Sequence, residues 1–297
     1  MTRHTPPRPV DVEGLFPELV PLRREAVRLH PRAGDPSFRD SSVGGPLLWP
    51  ADAPWPVCAE EHEDMGYGAP PEDGASLVPV VQVHREDAPG VPFPEGRDLL
   101  QVLWCPFEHG EFAYPLPRVY WRAADAVGPV RATPPAPSGA PPDSVPDPCA
   151  VHPERVTEYP GRDLPPELFR ALRERFDRLE ADTGLEYEYH LAEAPGIKLG
   201  GYPGWTQDPV WPDCASCGQR MEHLLTVASW EYGGDSWRTW LPAEDRAVVD
   251  GEEAPRPGRG RPVREAAGLM LGDAGGVYVF ECRSCPGRPV GHWFDCS

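Results

Sequence analysis

Strand-like patterns outnumber helical ones along this chain. Residues 25–30, Glu-Ala-Val-Arg-Leu-His, alternate polar and apolar and predict a strand. Apolar runs at 77–84, 99–104, 221–230 and 277–281 predict four more. Residues 186–191 precede a Gly-Gly pair as 25–30 precede an earlier one, and take the same assignment. A short helix is expected near 15–22. The clearest helix covers 165–182, where Leu168, Phe169, Leu172, Phe176 and Leu179 fall on one face at helical spacing. Asp163 is its candidate N-cap, Pro165 and Pro166 suit its first turn, and Gly184 its stop. Residues 127–147, dense in Pro, Ala and Ser, read as an extended, mobile linker. Residues 242–264 read as a second proline- and charge-rich loop, inserted between two paired strands.

The strand pattern occurs twice in register. From Gly45, Trp49 lies 4 residues on, Trp55 10 and Cys58 13; from Gly201, Trp205 lies 4 on, Trp211 10 and Cys214 13. Pro56 and Pro212 follow the second tryptophan of each copy. Such rigid agreement indicates an internal duplication. The glycine pairs suit positive φ or a close backbone approach. The tryptophans at these fixed spacings read as core. The fold class is therefore α+β, mostly antiparallel β, with duplicated β-rich units, one clear helix between them and long Pro-rich loops. The expected organisation is a first unit with an N-terminal extension at 1–125, a Pro-rich linker at 126–162, and the helix with the second unit at 163–297.

The cysteines add chemistry to this frame. Cys214-x2-Cys217 precedes one predicted strand and Cys282-x2-Cys285 follows another. If those strands pair antiparallel, the two turns meet and present four thiolates to one ion, the spacing of a structural zinc site. Four thiolates leave no position for a reactive water. The first copy holds Cys58 with His62 and Cys105 with His109 at the corresponding places, which predicts a second, mixed zinc site. Cys149 with His152, and Cys296 with His292, fit neither set. They are expected to be exposed, as free thiols or part of a third site.

Composition narrows the function. The 297 residues carry 28 basic and 47 acidic side chains, a net charge of −19. That disfavours nucleic acid and anionic membrane as partners, and suits either solubility or a basic polypeptide. Lys198 is the only lysine. No apolar run is long enough to span a bilayer, and no signal peptide is evident. A reducing cytoplasm is therefore expected, where cysteines favour metal over disulfides. The chain lacks the G-x-S-x-G, H-E-x-x-H, P-loop and EF-hand patterns.

Ser42-Val43-Gly44-Gly45-Pro46 through Trp55-Pro56-x-Cys58 resembles the YwqG-like family of bacterial proteins, as do Leu199-Gly200-Gly201-Tyr202-Pro203 with Gln207, and Gly272-Asp273-x-Gly275-Gly276-x-Tyr278-x-Phe280. The order Cys-x2-Cys, apolar strand, Tyr-x-Phe-x-Cys is similar to that of the eukaryotic programmed cell death protein 2 group. The resemblance covers about 42–105 and 186–285. It implies a duplicated antiparallel fold and, by analogy with the eukaryotic group, a protein-binding role. It brings no catalytic residues. The leading expectation is a non-enzymatic, zinc-stabilised module that binds a basic polypeptide. The alternative is a metal-dependent, hydrolase-like enzyme using the Cys58, His62, Cys105 and His109 site.

Overall fold

A computed structural model describes residues 2–62, 70–71, 74–110, 115–247 and 261–296. Up to residue 122 the strands are β1 (Arg24–Arg28), β2 (Arg32–Ala33), β3 (Ser42–Val43), β4 (Val57–Cys58), β5 (Ala75–Ser76), β6 (Val78–His84), β7 (Leu99–Cys105) and β8 (Leu116–Arg122). Beyond it come β9 (Cys149–Ala150), β10 (Glu154–Glu158), β11 (Lys198–Gly200), β12 (Glu222–Ala228), β13 (Gly276–Glu281) and β14 (Val290–Asp295). One six-stranded sheet runs β10-β1-β11-β12-β13-β14, another β2-β9-β3-β6-β7-β8, and β4 pairs β5. Every pairing is antiparallel. The fold is α+β and mostly antiparallel, as expected.

The two large sheets follow one path with their leading strands exchanged. β1 comes first in the chain, yet lies between β10 and β11. β9 opens the later run, yet lies between β2 and β3. The sheet holding β11 to β14 thus takes β1 from before β9 and β10, whereas the other joins β9 to strands that all precede it; β9 and β10 themselves lie within 126–162. The sheets also share a defect. A bulge falls between Pro79 and Val81 in β6 and between His223 and Leu225 in β12.

Glycine pairs end β3 and β11. Gly44, Gly45, Gly200 and Gly201 all have positive φ, from 65° to 86°. A Cβ on Gly44 would lie 2.4 Å from the Asp147 carbonyl oxygen, and one on Gly201 2.2 Å from Glu158 Oε2. Both glycine roles read from the sequence are therefore in use.

Strand alternation sorts side chains into layers. Leu100, Val102 and Trp104 of β7 and Val277 and Val279 of β13 enter one apolar core shared by both sheets. The opposite faces carry separate clusters. Leu103 and Cys105 pack with Trp49, Cys58 and Phe107. Tyr278, Phe280 and Cys282 pack with Trp205, Cys214 and Met221. Trp49 and Trp205 are buried and Trp55 and Trp211 half-buried; none of the ten tryptophans is exposed.

The long helix spans Pro166–Thr183 and buries Leu172, Phe176 and Leu179, while Phe169 stays exposed. It packs on Val12, Phe16 and Leu19. Gly184 caps it in the left-handed conformation, as expected. Asp163 does not cap it: the Trp205 and Trp211 indole N–H groups hold its two carboxylate oxygens at 2.9 and 2.6 Å. Near the N-terminus, helical turns form at Val12–Leu15 and Pro17–Leu22.

Two further expectations change. The segment 186–191 is not a strand, because Glu188–Ala192 forms a π-helical turn. Its His190 ring accepts the Glu186 N–H at 3.0 Å, and the place it would take beside β11 belongs to β1. The segment 127–147 is tied to its neighbours. The Trp104 indole donates to the Ser144 carbonyl and the Asp147 N–H to the Ala267 carbonyl, each at 2.8 Å. Proline-rich backbone forms no ladder of its own, so its remaining polar groups pair with adjacent elements. Of the loop at 242–264, residues 248–260 lie outside the described residues.

Candidate metal centres

The β12–β13 register sets Glu222 opposite Glu281, so the start of one strand lies beside the end of the other. Cys214 and Cys217 sit just before β12, in a turn closed by the Gly218 N–H on the Cys214 carbonyl at 2.7 Å. Cys282 follows β13 directly, and its N–H bonds the Pro289 carbonyl at 2.8 Å. The sulfurs meet, with Cys214 Sγ 3.9 Å from Cys285 Sγ and Cys217 Sγ 3.7 Å from Cys282 Sγ. A disulfide needs about 2 Å. Two thiolates about 2.3 Å from one tetrahedral ion lie about 3.8 Å apart. The observed spacings match the ion, and all eight cysteines are free thiols.

The cluster of Cys58, His62, Cys105 and His109 also forms where the start of one strand, β6, lies beside the end of another, β7. Cys58 ends β4 and Cys105 ends β7. Cys58 Sγ lies 3.6 Å from His109 Nε2, and His62 Nε2 lies 3.2 Å from Cys105 Sγ. A thiolate and an imidazole on one tetrahedral ion would stand about 3.6 Å apart. His109 Nδ1 bonds the Glu61 carbonyl at 3.0 Å, which leaves Nε2 free to coordinate. Cys58, His62, Cys105 and His109 form one compact set, and Cys214, Cys217, Cys282 and Cys285 another, each with donor atoms within 4.8 Å. Either set could hold a metal ion.

The electrostatics fit that use. Burial lowers the pKa of His62 and of His109, keeping both imidazoles in the neutral, coordinating form. Burial pushes the Cys105 thiol up to about 12, so its thiolate requires a compensating cation. At Cys214 burial works in the same direction, but N–H donors from Ser216 and Cys217 outweigh it and draw the thiol down to about 7. Half-buried tryptophans pack in the same apolar groups as the buried cysteines, Trp55 with Cys58 and Cys105 and Trp211 with Cys214 and Cys282.

The remaining cysteines stand apart. Cys149 is fully buried, not exposed, and its thiol contacts the Ala266 carbonyl at 3.2 Å. Its position in β9, between two strands, explains the burial. Burial pushes that thiol up to about 12, against a nucleophilic role beside His152. Cys296 is half-buried. Among the described residues only the two clusters gather ligands for an ion, and neither Cys149 nor Cys296 belongs to one.

One buried ionic site had no signal in the sequence beyond the solitary lysine. Lys198 Nζ lies 2.6 Å from Glu158 Oε1, and both side chains are fully buried. Glu158 also accepts the Ala194 and Tyr202 N–H groups, each at 2.9 Å. Glu193, near this pair, accepts the Gly161 N–H, and burial raises its carboxyl to about 8.

Fold and clusters together define a mostly antiparallel α+β protein with two Cys/His sets able to hold metal ions. Among the described residues no helix is long and apolar enough to cross a membrane. Compared with known proteins, the chain matches no family model and no curated protein.

Proposed function

We propose that the chain is a non-enzymatic zinc protein in which each ion fastens the end of one sheet, and that the assembled scaffold binds a basic polypeptide. The observation that carries the metal reading is the set of donor spacings, 3.2 to 3.9 Å, at the edge lengths of tetrahedral thiolate and thiolate–imidazole sites. Sets of four sulfurs, or of two sulfurs and two imidazoles, in that geometry favour zinc over oxygen-seeking cations. Four protein donors per set leave no coordination position for substrate, which supports a structural role. The net charge of −19 supports a basic partner.

Elemental analysis of purified protein tests the metal reading, with about two zinc ions per chain expected from the two ligand sets. None would overturn it, and one would leave only the four-cysteine site. The partner reading predicts a stoichiometric basic protein retained at low salt and released at high salt. An enzymatic reading has one observation in its favour. His62 and His109 line a groove of about 1120 Å³ together with His292 and Arg288. Turnover by the zinc-loaded protein that is lost in His62→Ala, with the fold intact, would favour that reading.

A further inference from the structure

The outer face of the second sheet carries a cleft of about 330 Å³ that no metal ligand lines. Its cause is visible in the register. Ser42 pairs Gln82 in the first sheet as Lys198 pairs Thr226 in the second. On that alignment Thr226 replaces Gln82, Ala228 replaces His84 and Gly276 replaces Leu99. Gly204, three residues after Gly201, replaces Leu48, three after Gly45. Leu48 and Leu99 are buried at 2% and 0% exposure. Four positions that are bulky in one sheet are small in the other, and all four line the cleft. The space is a feature of the second sheet alone, not of the shared architecture.

One carboxyl of the cleft has no ion-pair partner among the described residues. At the rim Arg162 Nε pairs with Glu188 Oε1 at 2.8 Å. Behind the wall Lys198 is matched by Glu158. Glu193 lines the cleft; among the described residues no cationic side chain forms an ion pair with it, and Lys198, held by Glu158, acts on it only at longer range. Its carboxyl takes backbone donors alone, the Gly161 N–H and its own. Trp205, Trp230 and the exposed Tyr189 add aromatic surface. A half-buried carboxyl without a cation, beside aromatic walls, is the arrangement that recognises organic cations.

We propose that this cleft binds one organic cation, an alkylammonium or guanidinium group, which docks on the Glu193 carboxyl against the aromatic lining. The cation could be a free small molecule or an arginine or lysine side chain presented by a polypeptide. No residue of either metal cluster lines the cleft. The volume suits one long side chain or a small amine.

Isothermal titration of the full chain tests this with N-acetyl-L-arginine amide, N-acetyl-L-lysine amide and the neutral N-acetyl-L-citrulline amide, alongside a Gly/Ser peptide containing one arginine. At least one cationic probe is expected to bind, with citrulline amide weaker by about tenfold or more. Glu193→Gln, compared with the wild type at pH 9 where the carboxyl raised to about 8 is ionised, should lose about the same factor, since it keeps shape and removes the charge. Gly276→Leu, at a glycine with ordinary φ whose added Cβ meets nothing closer than 3.4 Å, should block the cleft and abolish binding. Melting temperature and metal content establish that both variants fold. Binding of the amide assigns a free-cation site, and binding of the peptide alone assigns a side-chain site. Equal affinity for citrulline amide, unchanged affinity in folded Glu193→Gln, or no binding by any cationic probe would overturn the proposal. Failure to find a basic protein partner would leave it standing, because the free amides test the cleft directly.

Discussion

Cys217→Ser isolates the contribution of the four-cysteine cluster. Cys217 is the exposed member, so a serine there buries no new hydroxyl, unlike substitution of buried Cys214 or Cys282. Cys217 and Cys282 lie 65 residues apart in sequence, with sulfurs at 3.7 Å. An ion joining them constrains the unfolded chain, and closing a loop of that length is worth about 4 kcal/mol in the chain-entropy treatment. For 297 residues the unfolding entropy near the melting point is about 0.6 kcal/mol/K. Loss of the ion should therefore lower the melting temperature by about 6 °C, through the unfolded state more than through native contacts. Calorimetry on metal-loaded protein, dialysed against a fixed concentration of a weak chelator, reads the shift, and elemental analysis reads the stoichiometry. The variant should hold one metal equivalent fewer. A variant that loses the equivalent yet melts with the wild type would refute the argument from loop closure. One that keeps both equivalents would refute the ligand assignment.

Full chelation should cost about twice as much as Cys217→Ser, since His62 and Cys105 close a loop of 43 residues and the dependence on length is logarithmic. Melting in excess chelator measures it, and a shift no larger than that of the single variant would count against a first-copy ion. Lys198→Met should destabilise by about 3–5 kcal/mol in denaturant titration, because it strands the buried Glu158 charge. A loss below about 1 kcal/mol would show that Glu158 finds another partner. In the folded protein Cys149 should resist alkylation at neutral pH while Cys296 reacts, since Cys149 is buried and its thiol is raised to about 12; mass mapping of the labelled sites checks this. Glu193 should make stability fall with rising pH. Its carboxyl titrates near 4.5 unfolded but is raised to about 8 in the fold. Its favourable contribution is thus full below about pH 4.5 and lost as pH rises through about 8. Glu193→Gln should gain on the wild type across that window; parallel melting curves at every pH would refute the assignment.

The metal clusters were legible because their information is local. Cys-x2-Cys and Cys-x3-His fix two donors within one turn, and an antiparallel pairing of the adjacent strands needs no further geometry to bring the turns together. The β12–β13 and β6–β7 ladders supply those pairings. The helix was legible for the same reason, since its stripe is a pattern of neighbours three and four apart. Asp163 shows where local reading ends. Its position before two prolines suits a cap, yet two indoles distant in sequence hold its carboxylate. No local pattern encodes a competition between a helix end and a remote donor.

The strand exchange lies further from local reach. β1 is short and β9 only two residues long, and nothing in 25–30 says which sheet completes it. The choice is made by the partners. Arg28 and Val27 pair with Lys198 and Leu199 on one side and with Glu154 and Arg155 on the other. β1 thereby fills the place that a strand at 186–191 would have taken, and that segment turns into a π-helix carrying its C-terminal end toward Glu193. The cleft follows from this arrangement. The π-helical turn supplies Glu188 and Tyr189 to its rim, Glu193 follows directly, and the small residues at Gly204, Ala228 and Gly276 leave room in front of the carboxyl. The π-helical turn and the small residues beside it, where the first sheet carries Leu48, His84 and Leu99, thus separate a packed outer face on the first sheet from a cleft on the second.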